Sequence, residues 1–368
     1  MQYFILTDLH IGLPNVTEKI VDNLILFFLD KKNVMKKVDY IIINGDTFDR
    51  MLASNSIHYK LAFKFITFLV KYCKQYAISL RILEGTPSHD NKQMENISIA
   101  IEEFNDIDYK YVSTLSIEYC QMARKHYLYL PDKYRESGEE IQQAITDKLK
   151  EHNLDRVDMI FAHGNFNYQL PIKLKSGLDE NFFLDICNYY IVIGHIHTRS
   201  IWQRIIAPGS FDRLEVNQEE DKGGVLITLG KTIDNSTFEF ITNDNAMRHD
   251  TLDLKDLDIK EAYKKVVKYL NTNGYGQFDQ LRVVASRDVF KELKDKLDND
   301  GYLSRIKKFD DSKKESKLAT NKEYTKVSTM MSITKDNIMP LLLERKNIKK
   351  LSKSDIELLS TLIKEISN

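Results

Sequence analysis

Carboxylates and imidazoles recur in this chain just past short apolar runs. Six side chains stand in such positions: Asp8, His10, Asp46, His163, His195 and His197. Carboxylate and imidazole ligands together suit Mn, Fe or Zn better than Ca or Mg. Six such ligands are too many for one tetrahedral ion, and are the number expected for two ions that share a bridging carboxylate. Such a pair lowers the pKa of a bound water and stabilises both oxygens of an in-line phosphoryl displacement.

The apolar runs before these residues predict buried strands of an α/β sheet. The run at 38–43 is rich in β-branched residues and leads into Asn44-Gly45-Asp46. An acid just beyond the end of a central strand lies where α/β proteins bind their ligands. The same pattern predicts strands in these further segments: 2–7, 78–83, 109–117, 157–162 and 189–193.

Helical periodicity separates the predicted strands. The segment 57–76 places apolar side chains on one helical face, and so does 138–151. Alternation of strand and helix is typical of a layered α/β domain, so the expected fold class is an α/β sandwich. Three later segments are predicted as strands that close this domain: 224–229, 238–242 and 248–254.

The pattern changes near Asp250, where a small separate α+β unit is predicted. Its helices and strands are expected, in chain order, at 260–270, 280–285, 287–297 and 302–308. Residues 311–326 are dense in Lys, Ser, Asp and Glu, which is typical of a linker. An amphipathic helix is predicted at 354–366. The expected domain boundaries are 1–250, 251–310, 311–326 and 327–368.

Composition excludes several classes of protein. The chain has 368 residues, of which 42% are hydrophobic, so it can bury a sizeable core in two or three units. Its 53 basic and 54 acidic side chains leave a net charge of -1, without the overall basic footprint of many nucleic-acid binders. Three widely spaced cysteines argue against a disulfide framework and a cysteine zinc site. The sequence has no recognisable signal peptide or membrane-length apolar run, so we expect a soluble cytoplasmic protein.

Five strand-end segments together resemble the motif set of the calcineurin-like metallophosphoesterases. They are Asp8-Leu9-His10, Gly45-Asp46-Thr47-Phe48-Asp49, Gly85 with Ser88-His89-Asp90, His163-Gly164 and Gly194-His195-Ile196-His197. The similarity extends over roughly residues 1–245 and implies a metallophosphoesterase sandwich. The small α+β unit and the terminal helix resemble the capping domain and C-terminal segment of SbcD/Mre-type DNA repair nucleases, especially phage-encoded ones.

The resemblance implies two divalent ions held by two ligand sets that share one carboxylate. The shared residue would be Asp46. One set would be completed by Asp8, His10 and His197. The other would be completed by His163 and His195. The ions are expected to be Mn, with Zn, Fe and Mg as alternatives.

The third motif departs from the family pattern, which usually reads Gly-Asn-His followed by Asp or Glu. Ser88 stands where the Asn ligand of the second ion is expected, after two extra residues. A hydroxyl is a poorer ligand than an amide carbonyl, so Ser88 reaches the ion directly, acts through a water, or leaves the second site weak. The resemblance also implies that His89 contacts the scissile phosphate and assists the leaving oxygen, with Asp90 as its orienting partner.

Asp49 and Arg50 each have two interpretations. Asp49 either accepts a hydrogen bond that orients a metal ligand or is the N-terminal acid of the following helix. The run Gly-Asp-x-x-Asp-Arg also resembles protein phosphatases, in which an Arg binds phosphate, and this favours the phosphatase alternative.

The resemblance implies a two-metal DNA exonuclease or endonuclease that processes DNA ends in recombination and repair. Its partner would be an SbcC-type ATPase bound by the C-terminal helix, a homodimer is a further expectation, and a phage-encoded chain would act in the host cytoplasm. The alternatives are a phosphomonoesterase, such as a Ser/Thr protein phosphatase, and a non-enzymatic scaffold subunit. The candidates for DNA contact are Arg50, Lys173, Lys175, Arg199 and Arg213.

Overall fold

A computed structural model describes residues 1–102, 107–132, 136–172, 174–215, 218–272 and 278–311. Lys173, the predicted linker beyond residue 311 and the predicted C-terminal helix lie outside these residues.

Strands and helices alternate along the described chain. In chain order they are β1 (Gln2–Leu6), α1 (Thr17–Asp30), α2 (Lys32–Met35), β2 (Tyr40–Asn44), α3 (Ile57–Tyr76), β3 (Ser79–Leu83), α4 (Gln93–Glu102), β4 (Tyr109–Val112), β5 (Ser116–Cys120), β6 (Lys125–Leu130), α5 (Gly138–Glu151), β7 (Met159–His163), α6 (Glu180–Ile186), β8 (Ile191–Gly194), β9 (Ser200–Trp202), β10 (Ile205–Ala207), β11 (Gly223–Thr228), β12 (Thr237–Thr242), β13 (His249–Leu254), α7 (Ile259–Thr272), β14 (Gln280–Ala285), α8 (Arg287–Asn299) and β15 (Ile306–Asp311).

The strands form two six-stranded sheets and one three-stranded sheet. The strand order is β12-β11-β1-β2-β3-β4 in the first sheet and β5-β6-β7-β8-β10-β9 in the second. Neighbours are parallel from β1 through β4 and from β6 through β8 to β10. Every residue of β2, β3 and β7 is buried. Burial on both faces is the reason that such strands are largely continuous apolar runs in the sequence.

Alternating side chains of β1 show how the layers stack. Tyr3 and Ile5 pack between the two large sheets, in one cluster with Phe161 of β7. Phe4 points the other way and stacks on Phe27 of α1, with the ring centres 5.4 Å apart. Helices α5 and α6 cover the outer face of the second sheet in the same manner. The structure is therefore a layered α/β sandwich with helices outside both large sheets, which confirms the predicted fold class at this level.

The prediction of a single strand at 109–117 is wrong, because this segment crosses from one sheet to the other. β4 ends at Val112 in the first sheet, and β5 begins at Ser116 in the second. β6 pairs with β5 and was not predicted, since its apolar half follows the polar pair Lys125-His126. Residues 200–207, where no strand was predicted, form the hairpin of β9 and β10. Its turn places Gln203 at φ 53°, although Gln is not a residue that signals a turn.

The strand predicted at 248–254 does not close the first domain. It is β13, which pairs in parallel with β14, so that Leu252 lies opposite Val283. Together with β15, α7 and α8 it encloses a separate apolar cluster. The alternation of apolar residues predicts a strand but not the sheet that the strand joins. In the described part of the chain, no helix is long and apolar enough to span a membrane.

Candidate metal centre

The six predicted ligands converge at the carboxyl ends of β1, β2, β7 and β8. They form two buried or half-buried groups, and within each group the ligand atoms all lie within 4.8 Å of one another. The first group is Asp8, His10 and His197. The second group is Asp46, His163 and His195. His10 Nε2 lies 3.8 Å from Asp46 Oδ2, so the two groups adjoin. Each group could bind a metal ion, and their membership matches the two ligand sets that the resemblance implies.

Four of the six ligand residues have a left-handed backbone. The φ angles are 52° at Asp8, 48° at His10, 48° at Asp46 and 102° at His195. Each such conformation costs about 1–3 kcal/mol in a residue other than glycine and persists only where the surroundings enforce it. Main-chain hydrogen bonds between the loops after β1 and β2 do so: Asp8 N donates to Gly45 O at 3.1 Å, and His10 N donates to Asp46 O at 3.1 Å.

Asn44, the last residue of β2, ties the two large sheets together beside the second group. Its side-chain nitrogen Nδ2 donates to Ala162 O at 2.8 Å. Its main-chain carbonyl oxygen lies 2.9 Å from His163 Nδ1. When Nδ1 donates this bond, Nε2 is free to act as a ligand. Nε2 is buried and lies 3.2 Å from Asp46 Oδ2. Either a proton or a metal ion between these two atoms would satisfy both of them, so the residues fit a metal ion as well as an imidazolium–carboxylate pair.

The Asp46 carboxylate governs the protonation of its neighbours. Burial lowers the pKa of His163, but Asp46 outweighs burial and raises this pKa to about 10. Burial raises the pKa of Asp46, but the rings of His163 and His10 outweigh it and lower that pKa. Burial and the neighbouring His163 lower the pKa of His195, and burial and His10 lower the pKa of His197. A positive charge is therefore most stable between Asp46 and His163.

Gly45 permits the close approach of β2 to His163. Its φ is +89°, and a Cβ added there would lie 2.0 Å from His163 Nδ1. Such a contact would force the ring or the backbone to move. Gly301 has a similar φ of +76°, but an added Cβ there would meet nothing within 4 Å. An alanine at position 301 would therefore suffer backbone strain alone, whereas an alanine at position 45 would suffer both backbone strain and a steric conflict with His163.

We expect Gly45→Ala to lower the free energy of unfolding by more than Gly301→Ala does. The left-handed backbone costs about 1–2 kcal/mol in either variant. Overpacking adds about 1–3 kcal/mol only in Gly45→Ala. Urea unfolding of both variants measures the difference, and equal losses would mean that Gly45 is needed for its backbone conformation alone.

Two outer side chains hold the imidazoles of the first group. Asp49 Oδ1 lies 3.3 Å from His10 Nδ1, and Gln218 Nε2 lies 3.2 Å from His197 Nδ1. These contacts leave Nε2 of both rings facing each other at 3.1 Å. Two nitrogens about 2.0–2.1 Å from one ion stand at about this separation. Asp49 is the partner expected of a metal-bound imidazole, because a carboxylate accepts from Nδ1. Gln218 is not, because its Oε1 accepts from Leu214 N and its Nε2 is a donor towards His197 Nδ1.

Asp49 therefore has the first of its two predicted roles. Helix α3 begins only at Ile57, and its N-cap is Ser56, whose Oγ accepts from Tyr59 N at 3.1 Å. The alternative, in which Asp49 is the N-terminal acid of that helix, is wrong because six residues separate Asp49 from the cap.

His89 lies beside the first group, with its ring centre 4.8 Å from that of His10. Its Nδ1 is 2.5 Å from the carbonyl oxygen of Asp49. The buried carboxylate of Asp90 accepts instead from Phe48 N at 2.8 Å and Gly85 N at 2.7 Å. The structure thus gives the orienting contact of His89 to Asp49, and Asp90 joins the loops after β2 and β3. Burial, with Asp46 nearby, raises the pKa of Asp90 well above its ordinary value.

Ser88 is exposed and lines a cavity beside the second group. The cavity has a volume of about 300 Å³ and is also lined by His163 and His195. Its wall is mainly apolar, Asp132 is its charged residue, and no Lys or Arg of the described chain lines it. The apolar residues of the wall are Leu130, Pro131, Ile141, Leu174 and Leu178.

Two of the basic residues predicted to contact DNA are engaged with main-chain carbonyls. Arg50 donates to Gly12 O at 2.9 Å, and Arg213 donates to Met247 O at 3.0 Å. Arg199 lies over the ring of Phe240 at 4.0 Å, and its Nε and Nη2 have no hydrogen-bond partner in the described part of the protein. These donors, like Nε of Arg213, are buried, so they do not mark Arg199 as a residue that binds a ligand.

Three residues of the site were missed in the sequence. Asn44 had a signal, since it is a polar residue at the end of an otherwise apolar strand. Gln218 and Thr86 had none, because their contacts with His197 and with Asp46 depend on how distant loops meet.

No family model and no curated protein matches this chain. Among solved structures, one crystal structure has a TM-score of 0.38 and 9% sequence identity, and the match covers 66% of this chain and 99% of that one. A crystal structure of TT1561 of Thermus thermophilus has a TM-score of 0.35 and 11% identity, with 57% of this chain and 89% of that chain covered. Likenesses at these scores carry no argument about function. The described residues have a layered α/β fold and three His/Asp groups that could bind a metal ion, namely the two groups above and one formed by His10, Asp49 and His89.

Proposed function

We propose that this protein is a two-metal phosphodiesterase of the calcineurin-like metallophosphoesterase superfamily, acting on DNA as an SbcD/Mre-type nuclease subunit. The proposal depends above all on the position of Asp46. Its Oδ2 lies 3.2 Å from His163 Nε2 in its own group and 3.8 Å from His10 Nε2 in the other. A carboxylate between two imidazole-rich groups is the arrangement that binds two ions through one bridging ligand.

The donor set also indicates which ions would bind. Imidazole nitrogens and carboxylate oxygens in a buried site suit Mn, Zn or Fe, and we propose Mn. When bound, such ions supply a nucleophilic water and neutralise charge on the phosphate. The protein holds the first ion with the first group and the second ion with the second group. His89 donates a proton to the leaving oxygen from its Nε2, while Asp49 O holds its Nδ1.

The cavity beside the second group favours a phosphodiester over a phosphomonoester. A diester carries a substituent on both sides of the phosphate, whereas a monoester carries one. The volume of about 300 Å³ and the largely apolar wall suit an uncharged group such as a nucleoside. Asp132 disfavours a second phosphate there. The phosphatase alternative needs Arg50 to bind phosphate, but its guanidinium donates to Gly12 O.

The proposed partners are DNA and an SbcC-type ATPase. The net charge of -1 predicts modest affinity of this protein alone for DNA, and that affinity should fall as salt rises. The segment predicted to bind the ATPase lies beyond the described residues, so that interaction, a homodimer and the cytoplasmic location stay predictions.

One experiment tests the proposed function. The Mn-loaded protein is incubated with linear duplex DNA, single-stranded DNA, a bis-aryl phosphodiester and an aryl phosphomonoester, beside an Asp46→Asn control. We expect cleavage of DNA and of the aryl diester, with little cleavage of the monoester. Hydrolysis of the monoester alone would establish the phosphatase alternative. Cleavage of the aryl diester but not of DNA would support phosphodiesterase activity and refute the proposal that the protein is a nuclease. Absence of Mn binding would favour a scaffold subunit.

A further inference from the structure

Thr86 contacts the second group with both its main chain and its side chain. Its N–H donates to Asp46 Oδ1 at 2.6 Å. Its hydroxyl oxygen lies 3.2 Å from Asp46 Oδ2 and 3.2 Å from His195 Nδ1. Asp46 Oδ2 is in turn 3.2 Å from His163 Nε2. Four atoms that could coordinate a metal ion are therefore linked by contacts of 3.2 Å: the Thr86 hydroxyl oxygen, Asp46 Oδ2, His195 Nδ1 and His163 Nε2. Ligands around one ion with bonds of about 2.0–2.2 Å have this separation.

The local sequence fixes Thr86 in this place. Pro87 follows it, and the residue before a proline is restricted to extended backbone conformations. Gly85 precedes it, and a Cβ added there would lie 2.1 Å from Asp46 N. Any larger residue at position 85 would therefore push the loop after β3 away from Asp46 and remove Thr86 from the group.

The same loop carries Ser88 away from the group. The carbonyl oxygen of Thr86 accepts from His89 N at 2.8 Å and from Asp90 N at 2.9 Å. These bonds close a tight turn with Thr86 at its base. Ser88 lies within the turn and is exposed. With two residues inserted before His89, Thr86 faces the second group and Ser88 does not.

We infer that the Thr86 hydroxyl, and not that of Ser88, completes the ligand set of the second ion with Asp46, His163 and His195. The inference rests on the proposed metal centre and adds a ligand that the motif comparison did not predict. A neutral hydroxyl oxygen is a hard donor of the kind that Mn accepts beside imidazole and carboxylate. The turn that brings Thr86 inward also positions His89, so the length of this loop serves both the metal and the proton donor.

Calorimetric titration of the full-length, metal-free protein with Mn tests the inference. Thr86→Val removes the hydroxyl at nearly constant shape, Thr86→Ser retains it, and Ser88→Ala removes the competing hydroxyl. We expect the wild type to bind two ions, and Thr86→Val to bind the second at least about tenfold more weakly, as loss of a supporting contact does. The first ion should bind as in the wild type. Thr86→Ser and Ser88→Ala should leave both affinities near those of the wild type.

Three results would contradict the inference, and they are distinguishable. Weaker binding of the second ion in Ser88→Ala, but not in Thr86→Val, would make Ser88 the ligand. Wild-type affinities in both variants would show that neither hydroxyl binds the ion. A wild type that binds no ion would overturn the proposed metal centre itself. Thermal unfolding without metal shows whether each variant is folded, and Thr86→Ala removes the hydroxyl in a second way if Thr86→Val does not fold.

Discussion

Replacement of Asp46 by asparagine should abolish phosphodiester hydrolysis and reduce binding at both proposed ion sites. Asp46 Oδ2 is the carboxylate oxygen between the two groups, 3.2 Å from His163 Nε2 and 3.8 Å from His10 Nε2. Asparagine keeps the shape but loses the charge and puts an N–H donor or a neutral oxygen in that position. Bound metal contributes several kcal/mol of transition-state stabilisation. Its loss should lower kcat/KM by at least about a thousandfold.

Asp158→Asn is a matched control for this change. Asp158 precedes β7, at the strand end opposite to His163, and its carboxylate accepts from His126 N at 2.8 Å. It belongs to neither group. We expect this variant to retain the activity and the Mn stoichiometry of the wild type. If Asp46→Asn still bound two ions and hydrolysed the diester at the wild-type rate, Asp46 could not be the shared ligand.

The positions of the ligands along the chain were predictable because each follows an element with a strong local pattern. Helices α3 and α5 have the predicted bounds. The bounds of β1, β2 and β7, the strands that lead to Asp8, Asp46 and His163, are within two residues of the predicted ones. The carboxyl ends of parallel strands in one sheet meet at one edge. Residues at those ends must therefore converge within each sheet. The stacking of the two sheets, which no sequence pattern specifies, then brings Asp8, His10 and Asp46 to His163, His195 and His197.

The contacts around the ligands were not predictable, since they arise where loops from distant parts of the chain meet. Gln218 reaches His197 from a loop before β11. The partner of His89 is a main-chain carbonyl, which no sequence pattern marks. Thr86 instead of Ser88 faces the second group because of hydrogen bonds within a turn. The resemblance could not specify how the two inserted residues fold, so it did not predict that Thr86 would contact Asp46 and His195.

The left-handed residues of the two groups are held by hydrogen bonds within the fold. Asp8, His10 and Asp46 are held by hydrogen bonds between the loops after β1 and β2. His195 is held by its N–H, which donates to Asp8 Oδ1 at 2.9 Å. One ligand of the first group thus fixes the backbone of one in the second. Substitutions of Asp8 and His195, which share this bond, should therefore not be additive.

Replacement of His89 by asparagine should lower kcat by about 10²–10⁴-fold while leaving Mn binding intact. The ring lies against His10, and Asp49 O holds its Nδ1, which leaves Nε2 to face the substrate. A proton donor acts on the leaving oxygen only as the bond breaks. Its removal should therefore lower kcat and kcat/KM equally and leave KM unchanged.

The leaving group of the substrate distinguishes proton donation by His89 from a structural role. A DNA phosphodiester expels an alkoxide, which needs a proton, whereas a nitrophenyl diester expels an anion that is stable without one. His89→Asn should therefore slow DNA cleavage far more than it slows nitrophenyl release. The control is His126→Asn on β6, next to Asp158 at the opposite end of the strands, which should affect neither substrate. Equal losses on both substrates, or a parallel loss of Mn, would mean that His89 only supports His10 and that the leaving oxygen takes its proton from elsewhere.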